Sequence, residues 1–395
     1  MTESTRSKLL AVPGFSWLGR NIGIKDGSLD FGVIYSQVPC AAAGVFTRNN
    51  FPGAPVVVGR EHIANGRLQA VVVNSKNANV ATGPDGVEHA RRICRALGAA
   101  LGLEEHLVLP SSTGVIGVRL PVEKVEAACA QVPGWLGAGV EAVEAFTHAI
   151  MTTDTRPKAI SLRVGAATLT GMAKGAGMIE PNMATMLAYV VTDAQVEAAA
   201  LQAMVRRVAD QTFNRVSVDT DTSTSDTLVV LANGLAGPVP LADLEAALLN
   251  ACTHLAREIA RDGEGATKLI ELTVEGATSQ GAALAMAKAI VNSPLVKTAI
   301  HGADPNWGRF VMAVGKVFDH PVALADLAIR FGDQTPPLEI AAGKQTPALL
   351  AAISQYLKQN EVKLRVRVGD GPGRERVWGC DLSAEYVHIN ADYTT

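Results

Sequence analysis

The chain has 395 residues, 48% hydrophobic and 18% charged, which allows a sizeable core and argues against disorder. Its formal net charge is −3 and no basic cluster occurs, so neither nucleic acid nor an anionic membrane is expected as a partner. No apolar run approaches the roughly 20 residues of a membrane span. Pro13 and Gly14 interrupt the apolar patch near the start before a signal-peptide core can form. We therefore expect a soluble, cytoplasmic protein.

Cysteine and histidine spacing bears on redox state and on metals. The five cysteines lie far apart and make no CxxC pair, which indicates reduced, buried thiols of a cytoplasmic protein. The eight histidines form no HxH or HxxxH pair, so no metal site is expected.

Apolar patterning predicts strands and helices that alternate along the chain. Strand patterns occupy 70–76, 107–118 (with a Ser/Thr/Gly turn), a hairpin within 159–177, then 185–192, 214–219, 227–234, 268–276, 362–371 and 385–393. Helical patterns occupy 87–102, 140–154, 194–211, 240–261, 279–293 and 347–359. This alternation predicts an α/β fold with large mixed sheets covered by helices. A smaller C-terminal subdomain is expected from about residue 292.

The segment KGAGMIEPNMATML, residues 174–187, places a threonine directly after a loop rich in glycine. A threonine hydroxyl needs a base, and the α-amino group of an N-terminal Thr, with a pKa of roughly 7.7–8.0, can serve. That group exists at Thr185 only if the bond after Ala184 is cut. The Thr185 hydroxyl could make this cut itself by attacking the Ala184 carbonyl, in a turn that the loop glycines permit. Taken alone, the pattern also fits a Thr that merely begins a strand.

The same segment resembles the self-cleavage segment of the ornithine acetyltransferase family, also called glutamate N-acetyltransferase, of arginine biosynthesis. Further blocks resemble that family in the family's order: GVFTRN (44–49), NSKNANVATG (74–83), SSTGVIG (111–117), MTTDT (151–155), DTDTSTSDT (219–227), GEGATK (263–268), HGADPNWGR (301–309) and INADYTT (389–395). The resemblance therefore spans nearly the whole chain.

This resemblance implies a particular fold and processing. Two mixed sheets would lie between helical layers, in an α-β-β-α arrangement. The chain would cut itself into an alpha chain, residues 1–184, and a beta chain, residues 185–395, which stay associated. The family usually forms a dimer of such pairs, so a heterotetramer of two alpha and two beta chains is expected.

The resemblance also implies the reaction. Thr185 would contact N2-acetyl-L-ornithine, take its acetyl group and release L-ornithine. L-glutamate would then accept the acetyl group from Thr185 and leave as N-acetylglutamate. No cofactor is implied. The sequence leaves open whether acetyl-CoA is a second acetyl donor.

Acyl transfer passes through a tetrahedral oxyanion that needs preorganised donors. In SSTGVIG, Thr113 offers a hydroxyl and Gly114 an N–H that no side chain shields. Both residues match the oxyanion-hole pattern of the family. The alternative is a plain turn between strands.

Amino-acid substrates need a cation for a carboxylate and acceptors for an amine. Lys174 could supply the cation and Glu264, between two glycines, could bind a substrate ammonium or shape the cleavage site. A surface Lys and a solvated loop Glu are the alternatives. By the family match, Thr152 contacts substrate, although its neighbour Thr153 fits the spacing equally well.

The C-terminal block matches a family feature in which the chain end enters the pocket. Asn390 and Thr395 are the residues that would contact substrate there. Chain termini usually fray, so this interpretation depends on the resemblance. The block HGADPNWGR has no assigned role, and a loop structured by hydrogen bonds is favoured for it.

Two other functions stay open at this point. A self-cleaving aminopeptidase or amidohydrolase would share the chemistry but pass the acyl group to water. A non-catalytic binding protein would keep the fold and never cut itself.

Overall fold

The structure is a computed structural model that describes residues 8–180 and 186–392. Its strands are β1 (Phe15–Arg20), β2 (Phe31–Phe46), β3 (Arg67–Asn74), β4 (Val108–Ser112), β5 (Lys158–Val164), β6 (Ala167–Lys174), β7 (Leu187–Gln195), β8 (Val216–Ser217), β9 (Thr227–Pro238), β10 (Leu269–Ala277), β11 (Ala328–Phe331), β12 (Leu338–Ala341), β13 (Glu361–Arg367) and β14 (Gly373–Cys380). Its helices are α1 (Ala54–His62), α2 (Pro84–Leu101), α3 (Val122–Cys129), α4 (Val132–Trp135), α5 (Val140–Ala149), α6 (Ala198–Gln211), α7 (Leu241–Arg261), α8 (Gln280–Val291), α9 (Pro294–His301), α10 (Gly308–Gly315), α11 (Pro347–Leu357) and α12 (Ala384–Asp392).

The described residues divide into two compact units. Unit 1 comprises the chain up to residue 214 together with 221–259, and unit 2 comprises 215–220 and 260–392. Residue 184, at which the alpha chain was predicted to end, lies outside the described residues. The division into chains 1–184 and 185–395 therefore stays a prediction.

Within its described residues, unit 1 contains an eight-stranded mixed sheet in the order β4-β3-β2-β9-β7-β6-β5, with β1 beside β2. The long strand β2 pairs with β3 through its first part and with β9 through its last part, with a register shift between Tyr35 and Cys40. Strand β7 runs parallel to β9 and antiparallel to β6. The starts of β7 and β9 and the end of β6 therefore meet at one edge of the sheet.

The two halves of this sheet face each other across an apolar core. The core contains side chains from β2, β3 and β4 on one side and from β6, β7 and β9 on the other, among them Ile34, Val71, Leu109, Met172, Tyr189 and Val229. The alternate residues Val33 and Val72 pack among side chains of α2 and α3. On the far side, Leu255 of α7 lies against Gly171 of β6. Strands buried on both faces explain apolar runs such as 70–73. The α-β-β-α class expected from the sequence is confirmed.

Unit 2 is built on a six-stranded mixed sheet, counted over its described residues, in the order β12-β11-β13-β10-β14-β8. Strand β10 runs parallel to β13 and antiparallel to β14. One face of the sheet packs on α8, α9, α10 and α11 through Met286, Val296, Phe310 and Ile353. The other face carries charged side chains such as Arg365.

Three sequence predictions need correction. Residues 385–392 form helix α12 and not a strand, because the Ser383 hydroxyl accepts the Glu385 N–H (3.2 Å) and Asn390 Nδ2 donates to the carbonyl of Tyr386, four residues earlier (3.0 Å). Helix α6 begins at Ala198 and not at 194, because β7 continues to pair with β9 there. The strand predicted over 107–118 ends at Ser112 as β4, and the segment 113–118 makes only isolated bridges to Asn77.

All five cysteines are buried free thiols, as predicted, and burial raises the pKa of each. Among the described residues, no group of three or more His, Cys, Asp or Glu side chains could hold a metal ion. None of the helices in residues 8–180 and 186–392 combines the length and apolar character needed to span a membrane.

Candidate active site

Thr113 and Gly114 directly follow β4, where the chain bends against the block 74–83. The Thr113 N–H donates to the carbonyl of Asn74 (3.1 Å), and the Val115 N–H donates to that of Lys76 (3.0 Å). Gly114 has a φ of 131°, and a Cβ there would lie 2.2 Å from the carbonyl carbon of Lys76. A glycine is therefore required by both conformation and space.

Asparagine side chains of the block 74–83 hold this bend in place. Asn74 Nδ2 donates to the carbonyl of Asn77 (2.8 Å), and the Ser112 hydroxyl donates to Asn74 Oδ1 (2.6 Å). Asn77 Nδ2 donates to the carbonyl of Val118 (3.0 Å). These supporting residues were not predicted from the sequence, although the block that contains them is one of the family blocks.

Lys174 and Thr152 are brought together in unit 1. Lys174 is the last residue of β6 and is only 3% exposed, so it is not the surface lysine of the alternative interpretation. Its Nζ donates to Thr152 Oγ1 at 3.0 Å. Of the two threonines that the spacing left open, Thr152 is the one whose hydroxyl accepts this hydrogen bond. Its contact with substrate stays a prediction.

Asp154 joins the block 151–155 to the loop after β6. Its Oδ2 accepts the Thr152 N–H (3.0 Å), and its Oδ1 accepts the Gly175 N–H (2.6 Å). Lys158 Nζ also donates to Oδ1 at 2.6 Å, and neither side chain of this ion pair is exposed to solvent. Asp154 thus fixes the chain on both sides of the Lys174–Thr152 contact, a role that the sequence analysis missed.

Burial and neighbouring charges shift the pKa values of Asp154 and Lys25 in this cluster. Burial alone would raise the pKa of Asp154, but the Lys158 and Lys174 ammonium groups and the Gly175 N–H outweigh it and lower the pKa to about 2. Lys25 Nζ donates to the carbonyl of Met151 (2.6 Å). Burial lowers the pKa of Lys25 to about 8, since the carboxylate of Asp30 only partly opposes that effect. Asp154 is therefore ionised at neutral pH.

The residues on both sides of the predicted cleavage segment bind the block 219–227. Upstream, the Glu180 N–H donates to the carbonyl of Asp221 at 2.9 Å. Downstream, the Met186 N–H donates to Asp226 Oδ1 at 2.9 Å. Ala184 and Thr185, the proposed cleavage site and nucleophile, lie outside the described residues.

The oxyanion candidates and the start of β7 belong to opposing halves of the sheet in unit 1. Tyr189 of β7 lies in the core between them. Burial raises the pKa of Tyr189, and the hydroxyl of Ser111, two residues before Thr113, opposes this shift. The end of β4 therefore faces the beginning of β7.

Unit 2 brings together Glu264 and Asn390. Asn390, on α12, donates from Nδ2 to Glu264 Oε2 at 2.9 Å. Gly265 has a φ of 68°, and a Cβ there would lie 2.4 Å from the backbone nitrogen of Tyr386. The glycine thus permits the close approach of the loop to α12. Thr395 lies outside the described residues.

The block 301–309 forms the end of α9 and the turn into α10. His301 Nδ1 lies 2.7 Å from Asp381 Oδ2, and Arg309 Nη1 donates to the carbonyl of Leu295 (2.7 Å). The Asp304 N–H donates to the carbonyl of Ala299 (2.8 Å). These contacts agree with a loop structured by hydrogen bonds.

Unit 1 has the architecture of an enzyme that works at strand ends: an α-β-β-α core with a buried lysine, a threonine and a glycine bend at its sheet edges. The model of the ArgJ family matches residues 16–395. This chain belongs to the ArgJ family.

Individual relatives agree with this assignment. The chain is 44% identical over 382 residues to the arginine biosynthesis bifunctional protein ArgJ 2 of Clostridium acetobutylicum, covering 96% of this chain and 97% of that protein. It is 47% identical over 372 residues to the glutamate N-acetyltransferase Oat2 of Streptomyces clavuligerus, covering 94% of each. A crystal structure of the ornithine acetyltransferase of Mycobacterium tuberculosis complexed with ornithine covers 43% of this chain and 93% of that chain, at 40% identity and a TM-score of 0.41. The assignment rests on the sequence relationships.

The bend at Gly114 can be tested against a neighbouring glycine. We expect Gly114→Ala to lower the free energy of unfolding by more than about 2 kcal/mol, because the added Cβ forces the backbone of 76–77 to move. Gly117 also has a positive φ of 80°, but no atom lies within 4 Å of its Cβ position, so Gly117→Ala is the matched control. It should cost about 1 kcal/mol. Urea denaturation measures both, and equal costs would contradict the close approach.

The buried pair Asp154–Lys158 predicts a second stability effect. We expect Asp154→Asn to lower the free energy of unfolding by about 3 to 5 kcal/mol at pH 7, because it leaves a buried ammonium without its counter-charge. The control is Glu245→Gln, which breaks a partly exposed pair with Arg207 at 2.8 Å and should cost less than about 1 kcal/mol.

The same variant has a defined pH dependence. The pKa of Asp154 is about 2 in the folded protein against an ordinary value of 3.8, so its stabilising effect is complete above pH 3.8. It is lost as the pH falls from there towards 2. The stability difference between wild type and Asp154→Asn should therefore shrink over that interval, and a difference that stays constant would contradict the assignment.

Proposed function

We propose that this protein transfers the acetyl group of N2-acetyl-L-ornithine to L-glutamate through an acetyl-Thr185 intermediate. The observation that carries the proposal is the buried Lys174–Thr152 contact at the sheet edge where β7 begins, one residue after Met186 and two after Thr185. Membership of the ArgJ family supports it, as do the names of the relatives. The enzyme is an acyltransferase of arginine biosynthesis.

Self-cleavage generates the nucleophile in this proposal. The Thr185 hydroxyl oxygen attacks the Ala184 carbonyl carbon, and the Ala184–Thr185 C–N bond breaks while the hydroxyl proton passes to the nitrogen. Water then hydrolyses the resulting ester to give the Ala184 carboxylate, the free Thr185 hydroxyl and the new α-amine. That amine is the base for the following steps.

Acetyl transfer then proceeds in two halves. The Thr185 hydroxyl gives its proton to its own α-amine and attacks the acetyl carbon of acetylornithine, and the ornithine amine leaves with that proton. The glutamate amine next attacks the acetyl ester and loses a proton, which restores the Thr185 hydroxyl. The Thr113 hydroxyl and the Gly114 N–H stabilise both oxyanions.

The substrate contacts are assigned by charge. The buried Lys174 ammonium, oriented by Thr152, binds a substrate carboxylate. In unit 2, Glu264 binds the side-chain ammonium of ornithine, and its contact with Asn390 orients it. Thr395, which lies outside the described residues, is the further substrate contact that the family resemblance implies.

The proposal extends to assembly and location. The alpha and beta chains from one precursor stay together, and two such pairs form a heterotetramer. Five free, buried thiols fit the reducing cytoplasm, where we place the enzyme.

Substitutions at Thr185 test the nucleophile. We expect Thr185→Val to leave the chain whole and inactive, because it keeps the shape of the side chain and removes its hydroxyl. Thr185→Ser, which keeps a hydroxyl, should still yield the fragments 1–184 and 185–395. Denaturing electrophoresis and N-terminal sequencing provide the readout. A cut and active valine variant would refute the mechanism.

A donor assay separates acetyl transfer from hydrolysis. Purified, cleaved enzyme should release ornithine from acetylornithine at its full rate only when glutamate is present, since glutamate carries the acetyl group away. Release at the same rate in buffer alone would favour an aminopeptidase or amidohydrolase instead. We further propose that no cofactor is needed, and acetyl-CoA supplied with glutamate in place of acetylornithine tests whether it is a second donor.

A further inference from the structure

The block 219–227 holds the predicted cleavage segment at both ends. Upstream, the Thr222 hydroxyl donates to the carbonyl of Glu180 (3.1 Å), in addition to the Glu180–Asp221 main-chain bond. Downstream, the Thr227 N–H donates to the carbonyl of Met186 (3.0 Å). The residues 181–185 therefore lie between two points that are fixed to one loop.

This loop is itself anchored to the segment 44–53. The Thr47 N–H donates to the carbonyl of Asp226 (3.0 Å), and the Thr47 hydroxyl donates to that of Ser223 (2.5 Å). Asn49 Nδ2 donates to the carbonyl of Thr222 (2.8 Å). The loop thus has a rigid support, and GVFTRN gains a structural role.

Asp226 is the side chain through which the loop reaches the residue after Thr185. It is fully buried, and its Oδ1 accepts the Met186 N–H at 2.9 Å. Oδ2 has no hydrogen-bond partner in the part of the chain that the structure describes. Burial raises the pKa of Asp226 well above its usual range, and the Met186 N–H, the Thr47 side chain and the charge of Lys174 only partly oppose that effect. The observed contact of this side chain with the chain after Thr185 is the hydrogen bond that Oδ1 accepts from Met186.

The Met186 N–H is rigidly connected to Thr185. The Met186 N–H belongs to the peptide group that directly follows Thr185 in the chain, and peptide groups are planar and rigid. An acceptor that holds this N–H therefore acts on the peptide group next to the proposed nucleophile. Intramolecular attack requires reacting atoms held about 3 Å apart, and a displacement of about 1 Å can cost a hundredfold in rate.

We propose that Asp226 is a positioning residue for self-cleavage, which orients Thr185 by accepting the Met186 N–H. This inference rests on the proposed function, in which Thr185 cuts the chain. It identifies an acceptor and not a proton donor or base, because its action requires only an acceptor oxygen at the Oδ1 position.

Four variants test the proposal. Asp226→Ala removes the acceptor, and Asp226→Leu removes it while filling the space, which covers a failure of the alanine variant to fold. Asp226→Asn keeps a neutral acceptor of the same size. The matched control is Asp193→Ala: Asp193 lies in β7, is only 3% exposed and accepts the Thr168 N–H at 2.6 Å, but it lies eight residues beyond position 185.

Self-cleavage is followed on freshly folded precursor by denaturing electrophoresis, alongside thermal unfolding. We expect Asp226→Ala and Asp226→Leu to cut about a hundredfold more slowly than wild type. Asp226→Asn should cut within a fewfold of wild type. Asp193→Ala should lose thermal stability comparably to Asp226→Ala yet cut at the wild-type rate.

The outcomes separate this inference from the proposed function. Normal cutting in folded Asp226→Ala or Asp226→Leu would overturn the positioning role while leaving the acetyl transfer intact. Slow cutting in folded Asp226→Asn would also overturn it, since an ionisable group would then be required. A wild-type precursor that never cuts would instead remove the proposed function itself.

Discussion

The parallel pairing of β7 with β9 is the constraint on which the candidate site depends. Parallel strands begin at the same edge of a sheet, and Leu187 pairs with Thr227, so the residues just before each strand lie side by side. Strand β6 runs antiparallel to β7 and ends at that edge, with Lys174 opposite Leu187. One row of paired residues therefore gathers a buried cation, the chain that follows Thr185 and the block 219–227. A slip of one residue would turn these side chains to the opposite face.

Buried charge is the second element of the site. Moving ammonium groups out of water is unfavourable, and a buried ion pair seldom adds net stability over apolar packing. Asp154 offsets this cost for Lys158 and also accepts two backbone N–H groups, so the cluster is well satisfied. What it provides is geometry: Lys174 is desolvated and oriented by Thr152 before any ligand arrives. Under the proposed function, such a cation loses little further hydration when a substrate carboxylate binds.

Local patterns predicted strands and helices where period and composition agree, as in 268–276 and 279–293. They missed other elements, including the long strand β2 and the strand β14. They failed at 385–393, where Tyr386, Val387 and Ile389 suggest a strand but side chain–backbone hydrogen bonds select a helix with no buried residue among those described. In the site, the family blocks marked the important segments without revealing which residue touches which. Asp226 and Met186 are 40 positions apart, and no spacing rule connects them. The supporting residues Asp154 and Asn77 were missed partly for the same reason, since their partners Gly175 and Val118 lie 21 and 41 positions away.

The segments 44–53 and 221–227, which have no catalytic role of their own in the proposed function, form a hydrogen-bonded framework at both flanks of the predicted cleavage segment. The segment 44–53 holds 221–227, and 221–227 holds both flanks of 181–185. Such a framework also accounts for association after a cut between Ala184 and Thr185. Strand β6, upstream of the cut, keeps its pairing with β7 downstream, from Leu169 with Thr192 to Lys174 with Leu187, and β2 keeps its pairing with β9. Breaking the peptide bond of the proposed cut removes none of these contacts, so under the proposed function the sheet of unit 1 continues to hold both chains together.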